Sequence, residues 1–81
     1  KLIIDEDIKR LMEDRLILEA DIKKVIGLAE KNKDMFFNEE TGHYLGFRRI
    51  VNVTYWVEYE KIDDCYKVIT VYSHRMDVQG E

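Results

Sequence analysis

The chain has 81 residues, of which 46% are hydrophobic and 37% charged, with a net charge of -4 at pH 7. That size and balance predict one small globular domain of marginal stability. They exclude a membrane span, since no apolar run is long enough. They argue against nucleic acid as a partner, because affinity for phosphate rests on neutralising its charge. Cys65 is the lone cysteine, so neither an intrachain disulfide nor a cysteine-based metal site is available. With the opening KLIIDEDIKR, which lacks a signal-peptide pattern, this predicts a cytoplasmic location. The chain opens on Lys1 rather than a methionine, as a domain excised from a longer protein would.

Residues 5–14 place Ile8, Leu11 and Met12 on one stripe of a short helix. Asp5 can cap it, and Glu6 and Asp7 suit the positive end of its dipole. Leu16, Ile17 and Leu18 read as an extended apolar link. The main helix is expected from Glu19 to Asn32, with Ile22, Val25, Ile26 and Ala29 inward. Gly27 sits in its middle at a cost of about 1 kcal/mol relative to Ala. Either a close approach to a sheet or simple tolerance would account for it. Met35, Phe36 and Phe37 could form either a short edge strand or an apolar plug under the helix end, and Asn38 to Gly42 reads as a turn.

Three strands follow, at His43–Ile50, Val53–Glu60 and Tyr66–Ser73, rich in β-branched and aromatic residues. Val51-Asn52 links the first two, and a Lys61–Cys65 loop joins the last two. The fold class expected is α+β: two N-terminal helices packed on one face of a three-stranded antiparallel β-meander. Alternation assigns Val53, Tyr55, Val57 and Tyr59 to the helix-facing side of the middle strand. It assigns Leu45 and Phe47 inward on the first strand, leaving Tyr44, Gly46, Arg48 and Ile50 outward. On the last strand neither face is purely polar, and Ile69 and Val71 are taken as inward. The remaining face would hold Trp56 and several tyrosines, a candidate contact surface centred on Tyr44, Trp56 and Glu58, with the His74-Arg75 tail beside it.

The residues that could carry chemistry are His43, Arg48, Arg49, His74 and Arg75. Histidine moves protons near neutrality, and guanidinium matches phosphate geometry. Arg48 and Arg49 must point to opposite faces, so at most one joins a given site. His74 and Arg75 could instead simply pair with Asp63 and Asp64. No metal-ligand spacing or glycine-rich phosphate loop is present, so no cofactor is expected. Glu58 and Glu60 share one strand face and read as solvated carboxylates.

Two resemblances bear on function. The order helix, helix, antiparallel meander resembles the RelE-type RNase toxins, in which basic and histidine residues of the sheet and tail cleave RNA. Arg48, Arg49, His74 and Arg75 are the positions that would correspond; the acidic charge departs from that family. A second set of words, Asn52-Val53-Thr54-Tyr55-Trp56-Val57-Glu58-Tyr59 and Tyr72-Ser73-His74-Arg75-Met76, resembles a small accessory domain of anaerobic bacteria. That domain is associated with iron–sulfur and flavin oxidoreductases, including glutamate-synthase-like proteins. The resemblance covers residues 16–76. It implies a non-catalytic companion whose partner is a redox protein or its other domains.

Overall fold

The computed structural model describes residues 2–50 and 52–75, without the side chains of Ile50 and Arg75. The elements run β1 (Leu2–Ile3), α1 (Glu6–Arg15), α2 (Glu19–Asn32), β2 (Met35–Asn38), β3 (His43–Ile50), β4 (Val53–Ile62) and β5 (Cys65–Arg75). The fold is α+β, but the sheet is five-stranded and mixed, in the order β1-β5-β4-β3-β2. The expected three-stranded meander is its centre. β2 adds antiparallel to β3, and β1 adds parallel to β5 through Leu2↔Tyr66 and Ile3↔Lys67. A two-residue strand has almost no sequence signal of its own, so β1 was not legible.

Both helices pack on one face of the sheet. The α2 stripe is the one expected: Ile22, Val25, Ile26 and Ala29 are all buried. Met12 of α1 is buried, with Ile8 and Leu11 partly so. These side chains meet Val57 and Tyr59 of β4 and Val68 and Val71 of β5. Such apolar burial supplies the main favourable term in folding.

The link between the helices is a pair of caps rather than an extended run. Leu16 adopts the left-handed conformation, with φ 57. Its N–H donates to Glu13 O, and the Ile17 N–H donates to Met12 O at 2.9 Å. This is a Schellman ending with a leucine where glycine is favoured. Ile17 then turns inward and is buried, while Leu18 stays exposed at the start of α2. Leu18 N–H donates to Asp21 Oδ2 at 3.1 Å. That is half of a capping box, and leucine has no acceptor to complete it. Asp5 occupies the N-cap of α1 but makes no side-chain capping bond.

Two of the expected sheet faces are corrected. On β3 the assignment is inverted: Gly46 is buried against α2, and Tyr44 stacks on the buried Tyr59, so Leu45 and Phe47 face outward. The reason lies at Gly46. A Cβ there would sit 3.2 Å from Ala29 Cβ and 3.3 Å from Val25 Cγ1, so the helix approaches the strand where no side chain intervenes. Gly27, by contrast, is exposed and would meet nothing within 4 Å. On β5 the ladder shifts between Glu58 and Tyr59: Glu58 pairs with Thr70, but Tyr59 pairs with Val68. Ile69 is the extra residue of a bulge, and alternation changes phase across it. Val71 is therefore inward as expected, but its inward companion is Val68, not Ile69. The same phase change carries Tyr66 into the helix-facing side, edge-on to Tyr59 at 5.7 Å.

The loop expected at Lys61–Cys65 is also shorter. β4 and β5 pair as far as Ile62↔Cys65, leaving Asp63 and Asp64 as the turn, with Asp63 at φ 54. Aspartate tolerates that conformation better than most residues.

Candidate functional site

The sheet face away from the helices is where the candidate residues gather. Alternation places Phe36, Phe47, Trp56 and Tyr72 on it, one from each of β2, β3, β4 and β5. Their rings form a continuous row. Phe36 stacks on Phe47 at 5.9 Å between centroids, Phe47 lies 5.0 Å from Trp56, and Trp56 stacks on Tyr72 at 6.2 Å. The register explains the alignment: Phe47 pairs with Trp56, and Trp56 with Tyr72. Neighbouring rings at these separations attract beyond the area they bury. Phe36 is 59% exposed and Tyr72 38%, so the ends of the row are open while Phe47 and Trp56 are partly covered.

Polar groups border the row on both sides. Towards the β2–β3 turn, His43 Nδ1 and Glu58 Oε2 are 2.7 Å apart across the strands. This pair lines an open cleft of about 560 Å³, together with Phe36, Phe37, Tyr44 and Tyr72. The turn beside it is fixed by Asn38, whose Oδ1 accepts from Glu40 N–H at 2.9 Å, and by Gly42 at φ 75. Towards the other end, Thr54 pairs with Arg49 on one side and His74 on the other. Those three residues share the outer face.

Of the residues singled out from the sequence, Trp56, Glu58, Arg49 and His74 are on this face. Tyr44 is not: it faces α2, stacked at 5.6 Å on Tyr59, with Lys61 Nζ 4.5 Å above its ring. Arg48 pairs with Tyr55, whose neighbours on that face are core residues, so it too is separated from Arg49 and His74. The side chain of Arg75 and all of Met76 lie outside the described residues. His74 cannot pair with Asp63 or Asp64. Those aspartates occupy the turn at the start of β5, and His74 is near its end, roughly 30 Å away at strand spacing. Phe47 was missed as a site residue because the face assignment of β3 was inverted, and Phe36 because β2 was only a possible strand; Tyr72 fell on the outer face by alternation but was not singled out. The small Ala29 opposite Gly46 was the available clue.

The helix-facing side carries a second polar cluster at its margin. Tyr59 is fully buried, and its hydroxyl donates to Glu30 Oε2 at 2.7 Å. Lys61 Nζ reaches Glu30 Oε1 at 2.8 Å. Burial alone would raise the Glu30 pKa. The hydrogen bonds from Lys61 and Tyr59, with the lysine charge, outweigh it and hold the carboxyl below its ordinary value. Lys61 is raised, chiefly by its bond to Glu30. Tyr59 is raised strongly, first by burial and then by Glu30. The arrangement ties α2 to β4, and all its groups are used in doing so.

Among the described residues, no group of three or more His, Cys, Asp or Glu side chains is placed to hold a metal ion. No described helix is long and apolar enough to cross a membrane. No protein-family model, curated protein or solved structure matches the chain.

Proposed function

We propose that this chain is a binding or regulatory domain of a larger cytoplasmic redox protein, without catalysis of its own, and that it docks through the outer sheet face. The observation that carries this reading is the aromatic row Phe36–Phe47–Trp56–Tyr72, left uncovered by either helix. A contiguous exposed aromatic patch marks a contact surface, and buried aromatic anchors dominate interface energetics. The two stretches that carry the resemblance to the oxidoreductase-associated accessory domain contribute Trp56 and Tyr72. The partner face that fits is apolar at its centre, with polar groups to meet Glu58 at one border and Arg49 and His74 at the other.

A ribonuclease is the second reading. It is supported by the placement of Arg49 and His74 on either side of Thr54 on one face. Of the four residues that reading names, Arg48 faces away, paired with Tyr55, and the side chain of Arg75 lies outside the described residues.

Affinity purification of the tagged chain from cells that contain flavin and iron–sulfur oxidoreductases separates the two. The docking reading expects a bound polypeptide with flavin or iron–sulfur absorbance, and Trp56→Ala weakens its retention by at least about 30-fold, as loss of a hot-spot aromatic does. No such absorbance, together with RNA cleavage that His74→Ala abolishes, would replace docking with the ribonuclease.

A further inference from the structure

β2 forms one margin of the sheet, and among the described residues no strand pairs with its outer edge. Sheet edges are usually protected by lysine, proline, a bulge or a covering element. β2 reads Met-Phe-Phe-Asn, with no charge and no proline. Phe36 is 59% exposed on the outer face and Phe37 53% exposed on the helix side. Charges lie only beyond its ends: Lys33 and Asp34 before it, Glu39 and Glu40 after it, all exposed.

We propose that β2 pairs antiparallel with β2 of a second copy of this chain, about a two-fold axis at Phe36. The register follows from physical constraints. A two-fold axis perpendicular to the sheet keeps each face continuous, so paired positions must share a face. Centring on Phe36 sets it opposite Phe36 of the second copy, and sets Met35 opposite Phe37 on the other face. These side chains are apolar, and Asn38, the last residue of the strand, is set opposite Asp34. Beyond the strand ends, Lys33 of each copy then lies towards Glu39 of the other, and the charges are complementary. The only other face-preserving centre within the exposed aromatic pair is Phe37. That centre sets Phe36 opposite Asn38 and brings Asp34 towards Glu40, two like charges. Pairing at Phe36 also joins the two aromatic rows end to end into one band across both copies. The pairing does not depend on what covers the outer face, so it stands or falls separately from the docking reading.

Sedimentation across a concentration series tests it, with circular dichroism confirming that each variant is folded. The wild-type chain gives a concentration-dependent dimer. Lys33→Glu and Glu39→Lys each shift dimerisation to severalfold higher concentration, and the double variant restores it. In a Cys65→Ser background, Phe36→Cys forms an intermolecular disulfide and Phe37→Cys forms far less, because only position 36 faces itself. A monomeric mass up to about 1 mM overturns the proposal. So does a dimer that ignores the charge reversals, or one that cross-links through Phe37→Cys in preference to Phe36→Cys; either places the contact elsewhere.

Discussion

Two glycines have opposite roles, although the sequence presents them alike. Gly27 lies mid-helix with open space around it. Gly27→Ala should therefore stabilise the fold by about 1 kcal/mol, read as a higher urea midpoint. Gly46 lies where α2 and β3 nearly touch, and Ala29 and Val25 would both have to give way. Gly46→Val should destabilise by about 1–3 kcal/mol, as overpacking does. Glu30 sets a pH dependence. Its folded pKa is lowered, so its contribution is present above the unfolded carboxylate value and is lost as pH falls through the lower folded one. Lys61 has the opposite sign: its contribution is present below the ordinary lysine value and is lost as pH rises through the raised one. Urea unfolding between about pH 3 and 6 should lose part of its acid limb in Glu30→Gln. Tyr59→Phe should cost about 1.5–3 kcal/mol near neutrality, the worth of a hydrogen bond to a charged group.

The helices and strands differ in how far their sequences specify them. The α2 stripe was legible because helical period and burial coincide at Ile22, Val25, Ile26 and Ala29. Of the strands, β4 was legible because Val57 and Tyr59 alternate without interruption. β5 was not, because the bulge at Ile69 shifts the alternation, and a bulge is a property of the ladder rather than of one strand. β3 was misread because Leu45 and Phe47 are the more apolar set. What decides its orientation is the close approach of α2, which Gly46 permits opposite Ala29. For the site, Trp56 was legible as an outward aromatic. Tyr72 was outward by alternation as well, but its alignment with Trp56, and the places of Phe36 and Phe47, follow only from cross-strand register, which no single segment encodes. The caps show sequence choices short of the optimum. Leu16 holds φ 57 while 84% exposed, so it loses little by replacement. Leu16→Gly should raise stability by roughly 1 kcal/mol, measurable as a rise in Tm. Leu18→Ser, which completes the capping box with Asp21, should add a similar amount.

In the molecule taken whole, the two sheet faces divide the work. The helix side spends its aromatic residues on stability: Tyr44, Tyr59 and Tyr66 stack or meet edge-on beneath α2, and Tyr59 is anchored by Glu30. The other side carries an aromatic row that no described element covers. A domain of this size has little apolar surface to spare, and leaving such a row outside is costly unless another surface meets it. The proposed edge pairing would lengthen that surface, while docking would cover it. Hydroxyl-radical footprinting, comparing the isolated chain with the same chain in the redox assembly proposed for it, tests the docking claim most directly. The account predicts that oxidation of Trp56 and Tyr72 falls severalfold on assembly, while exposed side chains of α1 and α2 keep their rates. Unchanged oxidation at Trp56 and Tyr72, with protection on the helices instead, would contradict it.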